Sequence, residues 1–277
     1  MEYFVKEDLV EALRVITSLT AKCEKVLEKL KEGASSWTLT KNRLKALYIA
    51  ADLIGKEIDR LSVPEKMDEF FVSRLDIYEN HMLNEVEGMA TAYALIADHI
   101  PPATQTLLDL GCGTGLELEG IFKRCPDVRV TGIDLTQAML DKLWLKFPRK
   151  QLTLICASYL DYDFGGAVYD NAVSCKTMHH ILAAEKLALY ANIYKALKPG
   201  GKYIECDYMV EAQEEEDRLL AESLRLRAAH NISEGELYHL DTPLTVENQI
   251  KLLLQAGFSQ AEKVWRTGIT TIVVAQK

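Results

Sequence analysis

A glycine-rich turn that follows an apolar run is the segment of this chain that most directly indicates chemistry. The segment LLDLGCGTG spans residues 107–115 and places Asp109 ahead of Gly111, Gly113 and Gly115. Glycines at alternate positions let the backbone approach a bound ligand, because no Cβ stands in the way. The spacing is G-x-G-x-G and not the G-x-G-x-x-G of dinucleotide binding, and Asp109 suits an ammonium group better than a diphosphate. The turn is therefore predicted to bind a small molecule that carries a positive charge.

A second acid ends the next apolar run. Asp134 closes the segment VTGID, nineteen residues after Gly115. A carboxylate at the end of a strand can accept hydrogen bonds from both hydroxyls of a ribose, as in dinucleotide-binding folds. The structural alternative is that Asp134 caps the helix predicted from Gln137, but Thr136 fits that position better. The sequence favours the ribose role.

Two adjacent histidines, His179 and His180, follow the fourth apolar run. Either imidazole can serve as a general base for a protonated acceptor. The alternative, which we favour, is a structural element at the start of a helix. His230, Tyr238 and His239 lie further along, and the sequence leaves open whether they contact a substrate or lie at the surface.

The elements that must position these residues follow two different periods. From Thr106 onward, short apolar runs alternate with helix-length segments, which is the pattern of βαβ units and a parallel sheet. The last two runs are separated by Thr267-Gly268 and predict an antiparallel hairpin. The predicted strands are Thr106–Leu110, Val128–Asp134, Leu152–Ala157, Tyr169–Cys175, Lys202–Asp207, Ala261–Trp265 and Thr270–Ala275.

Residues before about Ile100 have helical spacing. Two apolar stripes, Leu9 to Leu30 and Leu44 to Leu61, surround the break Gly33-Ala34-Ser35-Ser36 and predict a helical hairpin over residues 1–62. A third helix is predicted from an N-cap at Ser62 to about Tyr78, and a fourth from about Asn84 to His99. Residues 63–277 then form the second predicted domain.

Composition excludes several classes of protein. The 277 residues are 48% hydrophobic and 26% charged, which is ordinary for a globular chain, and the net charge is −9. This acidity argues against nucleic acid as a partner, and no apolar run is long enough to span a membrane. The six cysteines form no C-x-x-C pair and have no histidine at zinc spacing, so we expect no metal, reduced thiols and a cytoplasmic protein. The run Glu214-Glu215-Glu216-Asp217 is predicted to be a solvated helix face.

The segments LLDLGCGTGLELE, TGIDLTQAML, YDNAVSCKTMHHIL, ALKPGGKYIECD and LLLQAGF occur in the order typical of one family. Over about Phe70–Lys277 the chain resembles the class I S-adenosylmethionine-dependent methyltransferases, and most of all the ubiquinone/menaquinone-type small-molecule enzymes. The resemblance implies an α/β fold, a doubly wound, mostly parallel, Rossmann-like sheet of seven strands with an antiparallel last strand. The N-terminal helices are an extension of that fold.

The resemblance also implies the cofactor, S-adenosylmethionine, and the residues that hold it. Asp109, Gly111, Gly113 and Gly115, with Cys112 in the same turn, would hold the methionine part, and Tyr78 would touch its carboxylate. Asp134 would hold the ribose, and Leu135 and Met139 would lie against the adenine. Ala157, Ser158 and Cys175 complete the implied site. Ser158 is a departure, since the family usually has an aspartate there that takes the adenine amino group.

The function implied is transfer of a methyl group to a small-molecule acceptor. The sulfonium already activates the methyl, so the protein must mainly align the reactants and exclude water. The alternative is a non-catalytic S-adenosylmethionine sensor whose N-terminal helices are the interaction module; a nicotinamide-dependent oxidoreductase is disfavoured by the glycine spacing.

The N-terminal hairpin must pack its apolar stripes against another surface, and we predict that it closes the pocket beside Tyr78 and contributes to a homodimer. A hairpin that only extends the core of a monomer remains the alternative for the second role.

Overall fold

The computed structural model describes residues 6–61, 63–233 and 235–277. The chain divides into two compact units, residues 1–64 and 65–277. The predicted boundary falls after residue 62, and the assignment of the two parts as separate domains stays a prediction. Among the described residues, no helix is both long enough and apolar enough to cross a membrane.

The first unit contains two helices, α1 (Lys6–Leu27) and α2 (Ser35–Leu61). Gly33 lies in the connection with φ +83°, a left-handed conformation that glycine adopts without strain. Thr20 on α1 and Leu44 on α2 are buried, as expected where two amphipathic helices pack together. The predicted N-cap of the next helix, Ser62, lies outside the described residues.

The second unit is built on one sheet of seven strands in the order β3-β2-β1-β4-β5-β7-β6. Strand β7 runs antiparallel to both of its neighbours, β5 and β6, and the other pairs are parallel. This confirms the predicted mostly parallel seven-stranded sheet and its closing hairpin. The strands are β1 (Thr106–Leu110), β2 (Arg129–Asp134), β3 (Gln151–Cys156), β4 (Tyr169–Cys175), β5 (Leu197–Tyr208), β6 (Gln260–Thr267) and β7 (Thr270–Gln276).

Helices cover both faces of the sheet. Leu107 packs in one apolar cluster with residues of α5 and α6, and its neighbour Leu108 packs in the other with residues of α8. Neighbouring residues of a strand point to opposite faces, so a strand buried on both faces reads as a continuous apolar run. The helices are α3 (Met67–Ser73), α4 (Tyr78–Asn84), α5 (Met89–His99), α6 (Leu118–Arg124), α7 (Gln137–Lys146), α8 (Ala183–Ala196), α9 (Gln213–Ala229) and α10 (Val246–Gln255).

Two predicted helices differ from the structure. The third was expected to continue to Tyr78, but α3 ends at Ser73 and Tyr78 begins α4. Arg74 follows the last residue of α3. Its guanidinium binds the Glu65 carboxylate at 2.9 Å and stacks on the Phe70 ring. The fourth starts at Met89 and not near Asn84, because Gly88 adopts φ +80° directly before it.

The acidic run at the start of α9 is only partly a solvated face. Glu216 is buried, and its carboxylate accepts hydrogen bonds from the Thr245 backbone amide at 2.5 Å and from the Asn248 side chain at 2.9 Å. Glu216 therefore joins the start of α9 to the start of α10, a role that adjacent acids in the sequence do not indicate.

Candidate functional site

The carboxyl ends of β1, β2 and β4 meet at one edge of the sheet and form a cleft there. Its empty volume is about 580 Å³, but it is narrow, with only about 50 Å³ accessible to the centre of a water molecule. Seven of the residues predicted to bind the cofactor border this cleft: Tyr78, Gly111, Gly113, Asp134, Leu135, Met139 and Cys175. Residues from five elements or turns are thus brought together as the resemblance implies.

The glycines of the turn have different roles. Gly111, Gly113 and Gly115 all have positive φ, at +67°, +47° and +70°. A Cβ on Gly113 would lie 3.7 Å from the Tyr78 hydroxyl, on the cleft side, whereas a Cβ on Gly115 would lie 2.3 Å from Leu143 Cδ1. Gly113 therefore leaves room in the cleft, and Gly115 permits close packing of the turn on α7.

Asp134 is held in place by the backbone. One carboxylate oxygen accepts from the Gly113 amide at 2.9 Å and the other from the Thr136 amide at 2.8 Å. Burial raises the pKa of Asp134 above its ordinary value, although both amide bonds act to lower it. Each oxygen can accept a further bond, so the carboxylate can fix the start of α7 and still receive ribose hydroxyls.

Asp109 is fully buried, and neither of its carboxylate oxygens has a hydrogen-bond partner among the described residues. Burial, and then the neighbouring Glu117 carboxylate, raise the pKa of Asp109 well above its ordinary value. Burial also raises the pKa of Glu117, to about 7. Two buried acids without a cationic partner are unfavourable in their charged forms, and an ammonium group would relieve both.

Five predicted cofactor residues do not border the cleft: Asp109, Cys112, Gly115, Ala157 and Ser158. Cys112 is buried, with its sulfur against Gly132 of the neighbouring strand. The Ser158 hydroxyl accepts a bond from the Leu160 amide at 3.2 Å, which organises its own loop. Their roles toward the cofactor stay predictions.

Sequence reasoning missed several residues of the cleft wall. The residues not predicted are Met67, Phe71, Tyr159, Thr177, Ile181 and Leu237, and the cleft is also bordered by Lys176 and by the catalytic candidate His180. Tyr159 is fixed by a hydrogen bond of 2.8 Å between its hydroxyl and that of Thr177. Tyr159 could have been suspected from the sequence, because it is an aromatic residue in the loop after the third strand. Glu117, the acid buried beside Asp109, could have been suspected because it lies two residues after the glycine turn.

A second cavity adjoins the first. Phe71, Tyr78, Lys176 and His180 border both, so these four residues form a shared wall. The second cavity is wider, with an empty volume of about 1060 Å³, of which about 390 Å³ is accessible to the centre of a water molecule. His239 also borders it, whereas His230 and Tyr238 do not.

His179 and His180 lie in a 3₁₀ turn (Met178–His180) just before α8, and both side chains border the second cavity or its wall. The structural and the chemical interpretations of this pair are therefore compatible. His179 Nδ1 lies 2.5 Å from Asp207 Oδ1, and both residues are buried. A carboxylate at this distance fixes the orientation of the imidazole and directs Nε2 away from itself.

Comparisons with known proteins agree with this geometry. A family model described as a methyltransferase domain matches residues 107–201. The carboxy-S-adenosyl-L-methionine synthase of Helicobacter hepaticus is 28% identical over 76% of this chain and 95% of that protein. The biotin biosynthesis bifunctional protein BioHC of Teredinibacter turnerae is 32% identical over 35% of this chain, and the match spans 18% of that longer protein.

Solved structures show the same fold. The 1,6-didemethyltoxoflavin-N1-methyltransferase of Burkholderia thailandensis, solved with S-adenosylhomocysteine, superposes with a TM-score of 0.54 at 21% identity, over 76% of this chain and 87% of that one. The narrower resemblance to ubiquinone/menaquinone-type enzymes stays a prediction. Residues 107–201 match a methyltransferase domain, and the sheet order and the cleft at its carboxyl edge agree with the fold of the class I S-adenosylmethionine-dependent methyltransferases.

Proposed function

We propose that this enzyme transfers the methyl group of S-adenosylmethionine to a small-molecule acceptor that binds in the second cavity. The observation that carries the proposal is the shared wall: Phe71, Tyr78, Lys176 and His180 separate the cofactor cleft from a wider cavity beside it. An enzyme that transfers a group between two bound molecules needs two adjoining sites with the reacting atoms at their junction.

The residues of the cleft bind and align, and the sulfonium supplies the reactivity. The acceptor attacks the methyl carbon opposite sulfur, the sulfur–carbon bond breaks, and S-adenosylhomocysteine is released. Placing the two reactants in line and excluding water accounts for most of what the protein must do. The apolar side chains Phe71 and Met139 on the cleft wall support the exclusion of water.

The test is to measure S-adenosylhomocysteine formed from S-adenosylmethionine with a panel of hydroxyl, amine, thiol and carbon-acid acceptors. We expect product with one acceptor class and none without an acceptor. Gly113→Val, which fills the cofactor cleft, is the matched inactive control. If the wild type binds S-adenosylhomocysteine but forms no product with any class, the alternative of a non-catalytic sensor is favoured. The second cavity supports the catalytic interpretation, because a sensor needs only the first.

A second candidate rests on Lys176. This residue borders both cavities, adopts φ +52°, and has no ion pair within the part of the chain that the structure describes. A free cation near the transferred group suits a carboxylate, and several relatives are named carboxy-S-adenosyl-L-methionine synthases. Under this candidate the bound cofactor or acceptor carries a carboxylate beside the sulfonium. Mass spectrometry of the small molecules that copurify with the protein distinguishes S-adenosylmethionine from its carboxylated derivative.

We further propose that the chain forms a homodimer through the N-terminal hairpin and works in a reducing compartment such as the cytoplasm. The first part is supported by apolar side chains of α1 and α2 that are exposed, among them Leu19, Ile49 and Leu53. The second is supported by the six cysteines, which are all free thiols.

A further inference from the structure

Three side chains with metal-ligating atoms converge on the second cavity. The Nδ1 atom of His180 lies 3.2 Å from Asp241 Oδ1, and the Nε2 atom of His179 lies 3.8 Å from the same oxygen. One ligating atom from each of the three residues lies within 4.8 Å of the others. Metal–nitrogen and metal–oxygen bonds of about 2.0–2.2 Å place neighbouring ligand atoms roughly 3.0–3.5 Å apart, so the three atoms need only a small movement to share one ion.

The tautomer of His179 is fixed from the opposite side. Asp207 is buried, and its carboxylate accepts from the backbone amides of Met178 (2.6 Å), His179 (3.1 Å) and Tyr208 (2.7 Å). Its remaining contact, 2.5 Å to His179 Nδ1, therefore receives the imidazole proton. Nε2 lies on the other side of the ring, 3.8 Å from Asp241 Oδ1. A carboxylate behind a histidine is the usual support of a metal-ligating imidazole.

His180 and Asp241 each have an unused ligating atom. His180 is 6% exposed, and His180 Nδ1 and Asp241 Oδ1 are buried without a hydrogen-bond partner in the described structure. The two atoms form a close contact of 3.2 Å, so a shared ion would lie beside both of them.

The backbone holds the two parts of this cluster together. The Thr242 amide donates to the His179 carbonyl at 2.6 Å, and the Thr242 hydroxyl contacts the His179 and Ile181 carbonyls at 3.2 and 3.0 Å. The residue next to Asp241 is therefore fixed to the turn that carries both histidines. These hydrogen bonds join two segments about sixty residues apart in sequence, next to the ligating atoms of His179, His180 and Asp241.

We propose that His179, His180 and Asp241 bind one divalent first-row transition-metal ion whose open coordination positions face the second cavity. Two imidazoles and one carboxylate are the ligand set of Fe(II) and Zn(II) sites that keep open positions for substrate. No metal was expected from the sequence, because its cysteines lack metal-ligand spacing. The proposed site contains no cysteine. The ligand set points away from Mg²⁺ and Ca²⁺, which take oxygen ligands.

This inference rests on the proposed function and names the acceptor class: a small molecule with an ionisable hydroxyl that can ligate the metal. A metal ion held by His179, His180 and Asp241 would lower the pKa of a bound hydroxyl, whose proton would pass to water. The oxygen lone pair then forms the bond to the methyl carbon, and the electron pair of the broken sulfur–carbon bond stays on sulfur. Atoms and charges balance without any further reactant.

The test uses full-length protein freed of metal by chelator and dialysis, titrated with Co(II) alone and followed by its visible d–d absorption, with Zn(II) calorimetry alongside. We expect one ion per chain. Asp241→Asn and His180→Ala should each weaken binding at least about tenfold, as expected for the loss of one ligand. His230→Gln, at the end of α9 and away from the cluster, is the matched control and should leave the affinity unchanged.

The outcomes separate this proposal from the function on which it rests. If the wild type binds neither ion, or if both variants bind as tightly as the wild type, the metal site is wrong and His179 is an imidazole held between two carboxylates. S-adenosylhomocysteine calorimetry on the same metal-free sample reports on the cofactor cleft independently. Asp241→Asn keeps the size of the side chain, and an unchanged thermal unfolding midpoint shows that a loss of binding is not a loss of fold.

Discussion

Asp134 is the residue whose carboxylate connects the cofactor cleft to the backbone around it. Its two amide bonds, from Gly113 and Thr136, position the oxygens before a ligand arrives. We expect Asp134→Ala to weaken S-adenosylhomocysteine binding by about 1–3 kcal/mol, because hydrogen bonds to a charged acceptor are lost. Calorimetry measures this directly. Asp127→Ala, before β2 and outside the cleft lining, is the control with little expected effect. An unchanged affinity in the Asp134 variant would remove Asp134 from the site.

Glu205 makes the stability of the protein dependent on pH. It is buried on β5, accepts from the Tyr190 hydroxyl at 2.9 Å and the Gln249 amide at 2.7 Å, and burial raises its pKa from 4.5 to about 7. A raised pKa in the folded state means that the stabilisation is complete below about pH 4.5 and is lost as pH rises through 7. Relative to Glu205→Gln, we expect the wild-type free energy of unfolding to fall by roughly 1–3 kcal/mol between pH 5 and pH 8.

Urea unfolding of both proteins at several pH values measures this difference. The variant has no carboxyl to ionise at this position, so the difference between the two proteins isolates Glu205 from every other titrating group. A difference that stays constant over the whole range would show that the folded protein holds Glu205 in the same ionisation state throughout.

Positions at the sheet edge could be predicted from the sequence, and contacts between distant side chains could not. Asp134 ends a predicted strand and Gly113 follows one, so the parallel topology places both at the same edge, while their roles toward the cofactor stay predictions. The contact of Asp207 with His179 depends on the pairing of β5 with β4, and that of Asp241 with His180 on how the loop after α9 returns to the site, which no local pattern encodes. The same reason explains why Glu216 was predicted to be solvated.

At the scale of elements, the glycine turn is predicted to separate binding from folding. Gly113→Val should abolish cofactor binding while the protein still folds, because its side chain would enter the cleft beside Tyr78. The backbone at +47° adds some strain. Gly115→Ala should instead lower the midpoint by several degrees, because its Cβ would lie 2.3 Å from Leu143 Cδ1.

Calorimetry with S-adenosylhomocysteine and a thermal melt on each variant measure both halves of this prediction. Normal binding by Gly113→Val would mean that the turn has a purely structural role. Equal melting of Gly115→Ala and wild type would mean that α7 can move away from the turn without cost.

The strands were predictable because buried parallel strands are apolar throughout and glycine or proline ends them. Six of the seven begin within one residue of the prediction, but β5 begins at Leu197, five residues early. Lys198, Pro199 and Gly200 lie inside it and look like a turn in the sequence. The helices α3 and α4 were predicted as one, because the turn over residues 74–77 that separates them contains no glycine or proline.

At the scale of the whole molecule, the order of strands and helices was sufficient to predict the second unit. A right-handed crossover between parallel strands leaves few arrangements for five such strands, and the final hairpin adds the antiparallel strand. The first unit has no such constraint, since two amphipathic helices are compatible with many partners. Its role therefore has to be argued from its surface.

The hairpin exposes an apolar stripe on each helix. On α2, Ile49 and Leu53 are 51% and 60% exposed and lie one helical turn apart; on α1, Val15 and Leu19 are both 44% exposed and have the same spacing. Fully burying one such side chain contributes about 1.5–3 kcal/mol, so stripes from two copies packed as a four-helix arrangement would offset a substantial part of the cost of association. We therefore expect full-length protein to scatter light as a dimer, twice the chain mass of 31.2 kDa. The double variant Ile49→Glu, Leu53→Glu should be monomeric, and Lys45→Glu on the same helix should remain dimeric as the charge control.

Deleting residues 1–61 tests the other predicted role: the truncated protein should lose cofactor affinity if the hairpin closes the cleft. A wild type that is monomeric at working concentrations would refute the dimer, and a truncated protein with full affinity would refute the closing role, so each half of the prediction stands or fails on its own measurement.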